Sequence, residues 1–340
     1  MSEHTSETGG RCLGRILLLL SFLLLAGGML TDFSCLSRFL WIRTALIVFA
    51  CSVCLVYALT PLVIWVSRKA NAMDYPAERK LHTIPTPRWG GIAVYAGIVI
   101  SLLAVATNYM PDLQVLLLSS TVVLVVGLLD DLVTIRASAK LFGQLAACVL
   151  LIACGVQVTF LPDTWWGSAG EWLITVIWIV GITNAVNFLD GMDGLVPGLV
   201  AGTSVIYFTL SFLVGSPMLA YVSASLLGVS LCFLSYNMKP ARIFLGDGGS
   251  NFLGFFLAAM SIHGTWATHD PLVSFFIPML ILSVPIYDMV FTTVNRVVTG
   301  KVRSVRAWLE FTGRDHIHHR LEALGLSRGK VVLTIWILNM

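Results

Sequence analysis

The sequence predicts an all-α polytopic membrane protein, and three observations carry that reading. Only 11% of the 340 residues are charged and 57% are hydrophobic, whereas a soluble globular chain is roughly 25% charged. The mean hydropathy is +0.87. Uncharged runs also recur near the length that a membrane helix needs, about 20 residues. They cover 16–31, 44–67, 91–108, 113–129, 141–161, 172–187, 195–214, 218–236, 250–268, 271–294 and 331–340. About ten to eleven transmembrane helices are therefore expected, and the lipid bilayer is the first partner. Nothing in the composition calls for nucleic acid.

Taken in order, residues 1–43 read as an N-terminal tail with an extra membrane helix. The run 16–31 follows Arg11 and Arg15 and reads as an uncleaved helix rather than a signal peptide. Residues 44–340 read as one membrane domain, whose last run has ten residues and looks like an unfinished helix. Cys51 and Cys54 form a C-x-x-C in mid-span, where thiols pack as small apolar groups. The segments after even-numbered runs are 67–90, 130–140, 188–194, 237–249 and 295–330. Together with Arg11 and Arg15 they hold 19 of the 21 Lys and Arg residues. Only Arg38 and Arg43 fall on the opposite side. The positive-inside rule then assigns the even side to the cytoplasm.

The polar motifs follow the same parity. They are "DYPAERKLHTIPTPRWGG" (74–91), "DDLVTIRASAK" (130–140), "NAVNFLDGMDGL" (184–195), "YNMKPARIFLGDGGS" (236–250) and "GRDHIHHRLEALGL" (313–326). Ordinary connecting loops have no reason to coincide in this way, so a composite site at the cytoplasmic face is expected. A short amphipathic helix is also expected around 301–311.

Asp130 and Asp131 end an apolar helix at its negative dipole end, which disfavours each by a few tenths to about 1 kcal/mol. A nearby cation would relieve that penalty. Asp247 sits among Gly246, Gly248 and Gly249, with Ser250 expected as the N-cap of the next span. A carboxylate beside an anion-friendly helix start suits a metal shared between protein and phosphate. Asn184, Asn187 and Asp190 recur at steps of three on one helical face, with Asp193 three further on. An interhelical hydrogen-bond face is the structural alternative for these amides. His316, His318 and His319 lie among Arg314 and Arg320. This cluster favours phosphate binding; a zinc site is the rival. Asp288, at the edge of a span, reads as functional, with an ion pair to Arg296 as its alternative.

These motifs, in this order, resemble the polyprenyl-phosphate N-acetylhexosamine-1-phosphate transferase family (glycosyltransferase family 4), over roughly residues 44–330. The group nearest in pattern is the bacterial UDP-N-acetylglucosamine:undecaprenyl-phosphate transferases. The resemblance implies transfer of a sugar-1-phosphate from a UDP-sugar to a polyprenyl phosphate, with release of UMP. Mg²⁺ is the implied cofactor, held by Asp247 and Asp190, with Mn²⁺ as a substitute. Asp130, Asp131, Asp247, His318 and His319 are the implied catalytic residues. Lys80, Lys140, Asn184, Asn187, Asp190, Asp193, Asn237, Phe244, His316 and Arg320 are the implied substrate contacts, with Phe244 suited to stacking on uracil.

The pentapeptide-sugar transferase of peptidoglycan synthesis is the nearest alternative. It carries three consecutive histidines, whereas this chain has H-x-H-H, and it tends to lack an acid at the place of Asp288. Asp315 directly precedes His316, a further departure that leaves the sugar open. An ion-coupled transporter is the alternative from another class, but transport sites gather at the midplane, and these motifs gather at one surface. A homodimer is carried as a possible assembly.

Overall fold

The computed structural model describes residues 14–21, 40–76, 84–104, 110–263, 266, 271–304, 307–308, 311, 313 and 315–340. Lys80 and Arg314, and residues 305, 306, 309 and 310 of the expected amphipathic helix at 301–311, lie outside the described residues.

The order is α1 (within 14–21), α2 (Leu40–Lys69), β1 (Met73–Asp74), β2 (Thr86–Pro87), α3 (Gly90–Leu103), α4 (Met110–Val133), α5 (Ala137–Ala153) and α6 (Trp165–Leu189). It continues with α7 (Leu195–Val214), α8 (Pro217–Asn237), α9 (Gly246–His263), α10 (Pro271–Ile281), α11 (Ser283–Val298), α12 (Ile317–Ala323) and α13 (Arg328–Leu338). The all-α membrane class is correct. Every uncharged run from residue 44 onward includes a helix among its described residues. Among the described residues, five helices are long and apolar enough to cross a membrane, or six if α10 and α11 count as one span.

Three expectations need correction. The run 271–294 is not one straight span: α10 and α11 meet at Leu282 with a bend of 82°. Pro278 inside α10 and Pro285 in the first turn of α11 each remove a backbone donor near the break. The runs 91–108 and 141–161 yield helices of 14 and 17 residues, shorter than the runs. Ser250 is not an N-cap, because α9 already begins at Gly246. Gly246 has φ +72°, a left-handed entry that glycine adopts without Cβ strain.

The chain forms two compact units. Unit 1 comprises Met1–Leu113 and Pro197–Gly249; unit 2 comprises Gln114–Val196 and Ser250–Met340. In unit 1, α2, α3 and α8 pack on one another. Small residues set the spacing: a Cβ on Gly97 would lie 2.7 Å from Val56, and Ser101 and Ser225 share a hydrogen bond of 2.9 Å between hydroxyls. Close approach of small residues is how helices associate in lipid, where apolar burial alone gives no preference. Ser216 caps α8 by accepting from the Leu219 amide, and Pro217 follows at the first helical position.

In unit 2, α6 is central. Its N-cap Thr164 accepts from the Gly167 amide at 3.2 Å. The indole of Trp178 donates to Ser261 of α9 at 2.8 Å. Gly254 of α9 lies against Thr183, where a Cβ would come within 2.9 Å of backbone. The Trp336 indole of α13 donates to the Leu195 carbonyl at 3.2 Å.

Candidate active site

The five motifs divide between the two units. In unit 1, the segment 86–91 lies along 243–249. The Phe244 amide donates to the Pro87 carbonyl at 2.8 Å. The Gly90 and Gly91 amides donate to the Phe244 and Leu245 carbonyls at 2.9 Å each. A Cβ on Gly249 would lie 2.7 Å from the Gly91 Cα, so each glycine is needed by the other. This backbone clasp fixes the start of α9, where Asp247 stands half-buried in the first turn. Asn237 is buried and its amide donates to the Ile243 carbonyl at 2.9 Å. That bond ties its side chain to the loop that leads into α9. Phe244 is half-buried.

In unit 2, Asp130 and Asp131 lie in the last turn of α4, each 7% exposed. The cation that the sequence calls for is Lys140, whose Nζ is 2.5 Å from Asp130 Oδ2. Asp130 Oδ1 also accepts from the Ile135 amide at 2.7 Å. Both bonds offset the unfavourable helix end. Lys140 lies in the first turn of α5, and one turn later Gln144 reaches α6 and α9. Gln144 accepts from the Asn184 amide at 2.8 Å and donates to Asn251 at 3.1 Å. Asn187 donates to Ser250 at 2.8 Å. The amides of Asn184 and Asn187 thus do serve as an interhelical face, the alternative raised for them.

The turn Asp190–Gly194 joins α6 to α7, with Asp190 and Asp193 half-buried. Against it lies the histidine loop. A Cβ on Gly191 would be 2.7 Å from His318 Nε2, and the Phe188 and His316 rings are 5.3 Å apart. Two motifs more than 120 residues apart in sequence are therefore packed together within one unit.

The loop is held by a chain of charged groups. Asp288 accepts from His316 Nδ1 at 2.7 Å and from the Ile317 amide at 2.6 Å. Arg296 reaches His316 Nε2 at 3.2 Å and grips Asp315 with two bonds of 2.8 and 2.6 Å. Arg320 donates to the Asp315 carbonyl at 2.7 Å. The pairing of Asp288 with Arg296 is thus corrected: Asp288 takes His316, and Arg296 takes Asp315. Asp288 reads as functional from the sequence without an assigned role, whereas neither Arg296 nor Asp315 was among the expected site residues.

His318 is 1% exposed, and its Nδ1 has no hydrogen-bond partner. Burial, reinforced by the neighbouring His319 and His316, pushes its imidazole down to about 3. It is therefore neutral near pH 7 in the ligand-free protein, a hydrogen-bonding group rather than a cation. The bonds from Arg296 hold the Asp315 carboxyl below its ordinary range. Among the described residues, no three His, Cys, Asp or Glu side chains are grouped to hold a metal ion.

Membership of a family follows. The family model described as "Glycosyl transferase family 4" matches residues 113–265. The chain belongs to this family of polyprenyl-phosphate sugar-1-phosphate transferases. A Bacillus subtilis relative, "Probable undecaprenyl-phosphate N-acetylglucosaminyl 1-phosphate transferase", is 34% identical over 299 residues, covering 86% of this chain and 81% of the relative. The Mycobacterium tuberculosis "Decaprenyl-phosphate N-acetylglucosaminephosphotransferase" is 32% identical over 314 residues, 83% of this chain and 76% of the relative. A "Phospho-N-acetylmuramoyl-pentapeptide-transferase" of Shouchella clausii is 30% identical over 275 residues, 75% of this chain and 80% of the relative.

Proposed function

We propose that this chain transfers N-acetylglucosamine-1-phosphate from its UDP-sugar to a polyprenyl phosphate, releasing UMP, on the cytoplasmic face of the plasma membrane. The relatives named for N-acetylglucosamine are more similar over more of the chain than the pentapeptide transferase, which favours that sugar. The observation that carries the reading is the packing of His318 on Gly191, which puts hydrogen-bonding imidazoles beside the Asp190–Gly194 carboxylate turn.

Phosphoryl transfer is mainly positioning and charge stabilisation. An oxygen of the lipid phosphate attacks the β-phosphorus of the UDP-sugar. The bond from that phosphorus to the bridging oxygen breaks, and UMP leaves with the electron pair. The attacking phosphate has a second pKa of about 6, so it is already largely dianionic at neutral pH. Asp130 and Asp131 therefore orient it more than they deprotonate it. Lys140, Lys80, Arg320, His318 and His319 bind the diphosphate and sugar. Asn237 and Phe244 bind the uridine, with Asn184, Asn187, His316 and Asp193 shaping the nucleotide site.

Mg²⁺ needs only one or two protein carboxylates where substrate phosphates complete its shell. Half-buried Asp247 and Asp190 are hard oxygen donors suited to that mode. They would hold the ion, which supplies neutralisation of the diphosphate charge. Asp247→Asn is expected to abolish turnover without changing thermal unfolding. Near-normal turnover of that variant at low Mg²⁺ would remove Asp247 as a metal ligand. Offered a panel of labelled UDP-sugars and undecaprenyl phosphate, membranes holding the protein should pass label from UDP-N-acetylglucosamine to lipid. Labelling only from the UDP-MurNAc-pentapeptide would reassign the substrate.

A further inference from the structure

Asp288 is 2% exposed, on the helix beyond the 82° break, and its two carboxylate oxygens have separate tasks. Oδ2 faces His316 Nδ1 at 2.7 Å; Oδ1 takes the Ile317 amide at 2.6 Å. Ile317 is the first residue of α12, which carries His318, His319 and Arg320. His316, its N-cap residue, makes no side-chain cap. An Asp normally caps a helix from the adjoining residue; here the cap arrives from 29 positions away. The other face of the ring settles its protonation. Arginine has donors only, so the Arg296 contact requires His316 Nε2 to be the acceptor. The proton then sits on Nδ1 and is donated to Asp288. Both ring nitrogens of His316 are used inside the protein.

We infer that Asp288 is a positioning residue for the transfer reaction: it sets the tautomer of His316 and anchors the first turn of α12, so that His318 and His319 are presented to substrate. The inference deepens the transferase reading and rests on it. It also recasts His316, expected to contact substrate, as a link between Asp288 and Arg296. A carboxylate is required at position 288 because both incoming groups are donors. An asparagine offers one acceptor and one donor, so one of the two bonds is lost whichever way its amide turns.

The test compares the wild type with Asp288→Asn, Asp288→Ala, His316→Ala and the Asp288→Ala/His316→Ala pair, as full chains in detergent or membranes. Each single variant should lose about tenfold to hundredfold in kcat/KM, the scale of one hydrogen bond to a charged group. Because Asp288 acts through the loop that His316 opens, the double variant should fall no lower than the worse single one. Losses that multiply, or an Asp288→Asn variant with wild-type kcat/KM, would overturn the inference. A second readout does not depend on turnover: nitrogen NMR of labelled histidine, with His316 assigned by its loss in His316→Ala. The wild type should show a neutral ring protonated on Nδ1, and Asp288→Asn should shift that signal. A ring protonated on Nε2, or on both nitrogens, would overturn the inference even if the wild type released no UMP, a result that would instead sink the transferase reading.

Discussion

The two loop motifs that carry the glycines and the histidines are held in opposite ways. In unit 1, 86–91 is clasped to 243–249 by three backbone hydrogen bonds and by Gly91 against Gly249. In unit 2, the histidine loop is held by side chains: Asp288, His316, Arg296 and Asp315 in sequence. A backbone clasp tolerates many side chains but no added Cβ. A side-chain chain fails when one partner goes, because the remaining charge is left buried. The difference teaches where each motif is vulnerable.

The largest effect is expected at Arg296, which is 3% exposed. Removing one partner of a buried ion pair typically costs about 3–5 kcal/mol. Arg296→Met should therefore lower thermal unfolding sharply, and Arg296→Met/Asp315→Leu should recover part of it, since the Asp315 charge is then no longer stranded. Failure of that recovery would mean that the pair is not what holds the loop. Gly91→Ala comes next: forced overpacking costs roughly 1–3 kcal/mol. The atoms that it meets are backbone of Gly248 and Gly249, so no second-site truncation at 249 can rescue it. Rescue by any smaller side chain would break the contrast.

A third effect is a pH slope. The folded state resists protonation of His318, whose imidazole is pushed to about 3 from its ordinary 6.5. The unfolded chain binds that proton more readily, so stability falls as pH drops from 6.5 toward about 3. Asp315 is depressed as well, so its contribution persists to lower pH and is lost as pH falls through its folded value. His318→Gln should flatten the unfolding temperature between pH 6.5 and 4. An unchanged slope would show that His318 is not held neutral.

Much of this was legible in the chain. Composition and uncharged runs gave the helices, because lipid demands continuous apolar length. The motifs were legible because paired acids, glycines and histidines are rare in such a sequence. The break at Leu282 was hidden, since nothing charged interrupts 271–294, although Pro278 and Pro285 were its signal. The partner of Asp288 was also hidden. Arg296 is eight positions away, whereas the actual partner His316 is 28 away. Charge pairing read by proximity selects the wrong one. Lys140 was foreseen as a phosphate ligand; its pairing with Asp130 shows the same cation serving the helix end first. Asn184 and Asn187 were legible as one helical face, but a helical face does not show that Gln144 and Ser250 stand opposite it.

The central claim is that the sugar moves together with its phosphorus. UDP-N-acetylglucosamine carrying ³²P at the β-position tests it directly, with the full-length chain, Mg²⁺ and undecaprenyl phosphate. The account predicts that label enters the lipid fraction and that the released nucleotide is unlabelled UMP. Label leaving as UDP, with sugar alone on the lipid, would contradict it.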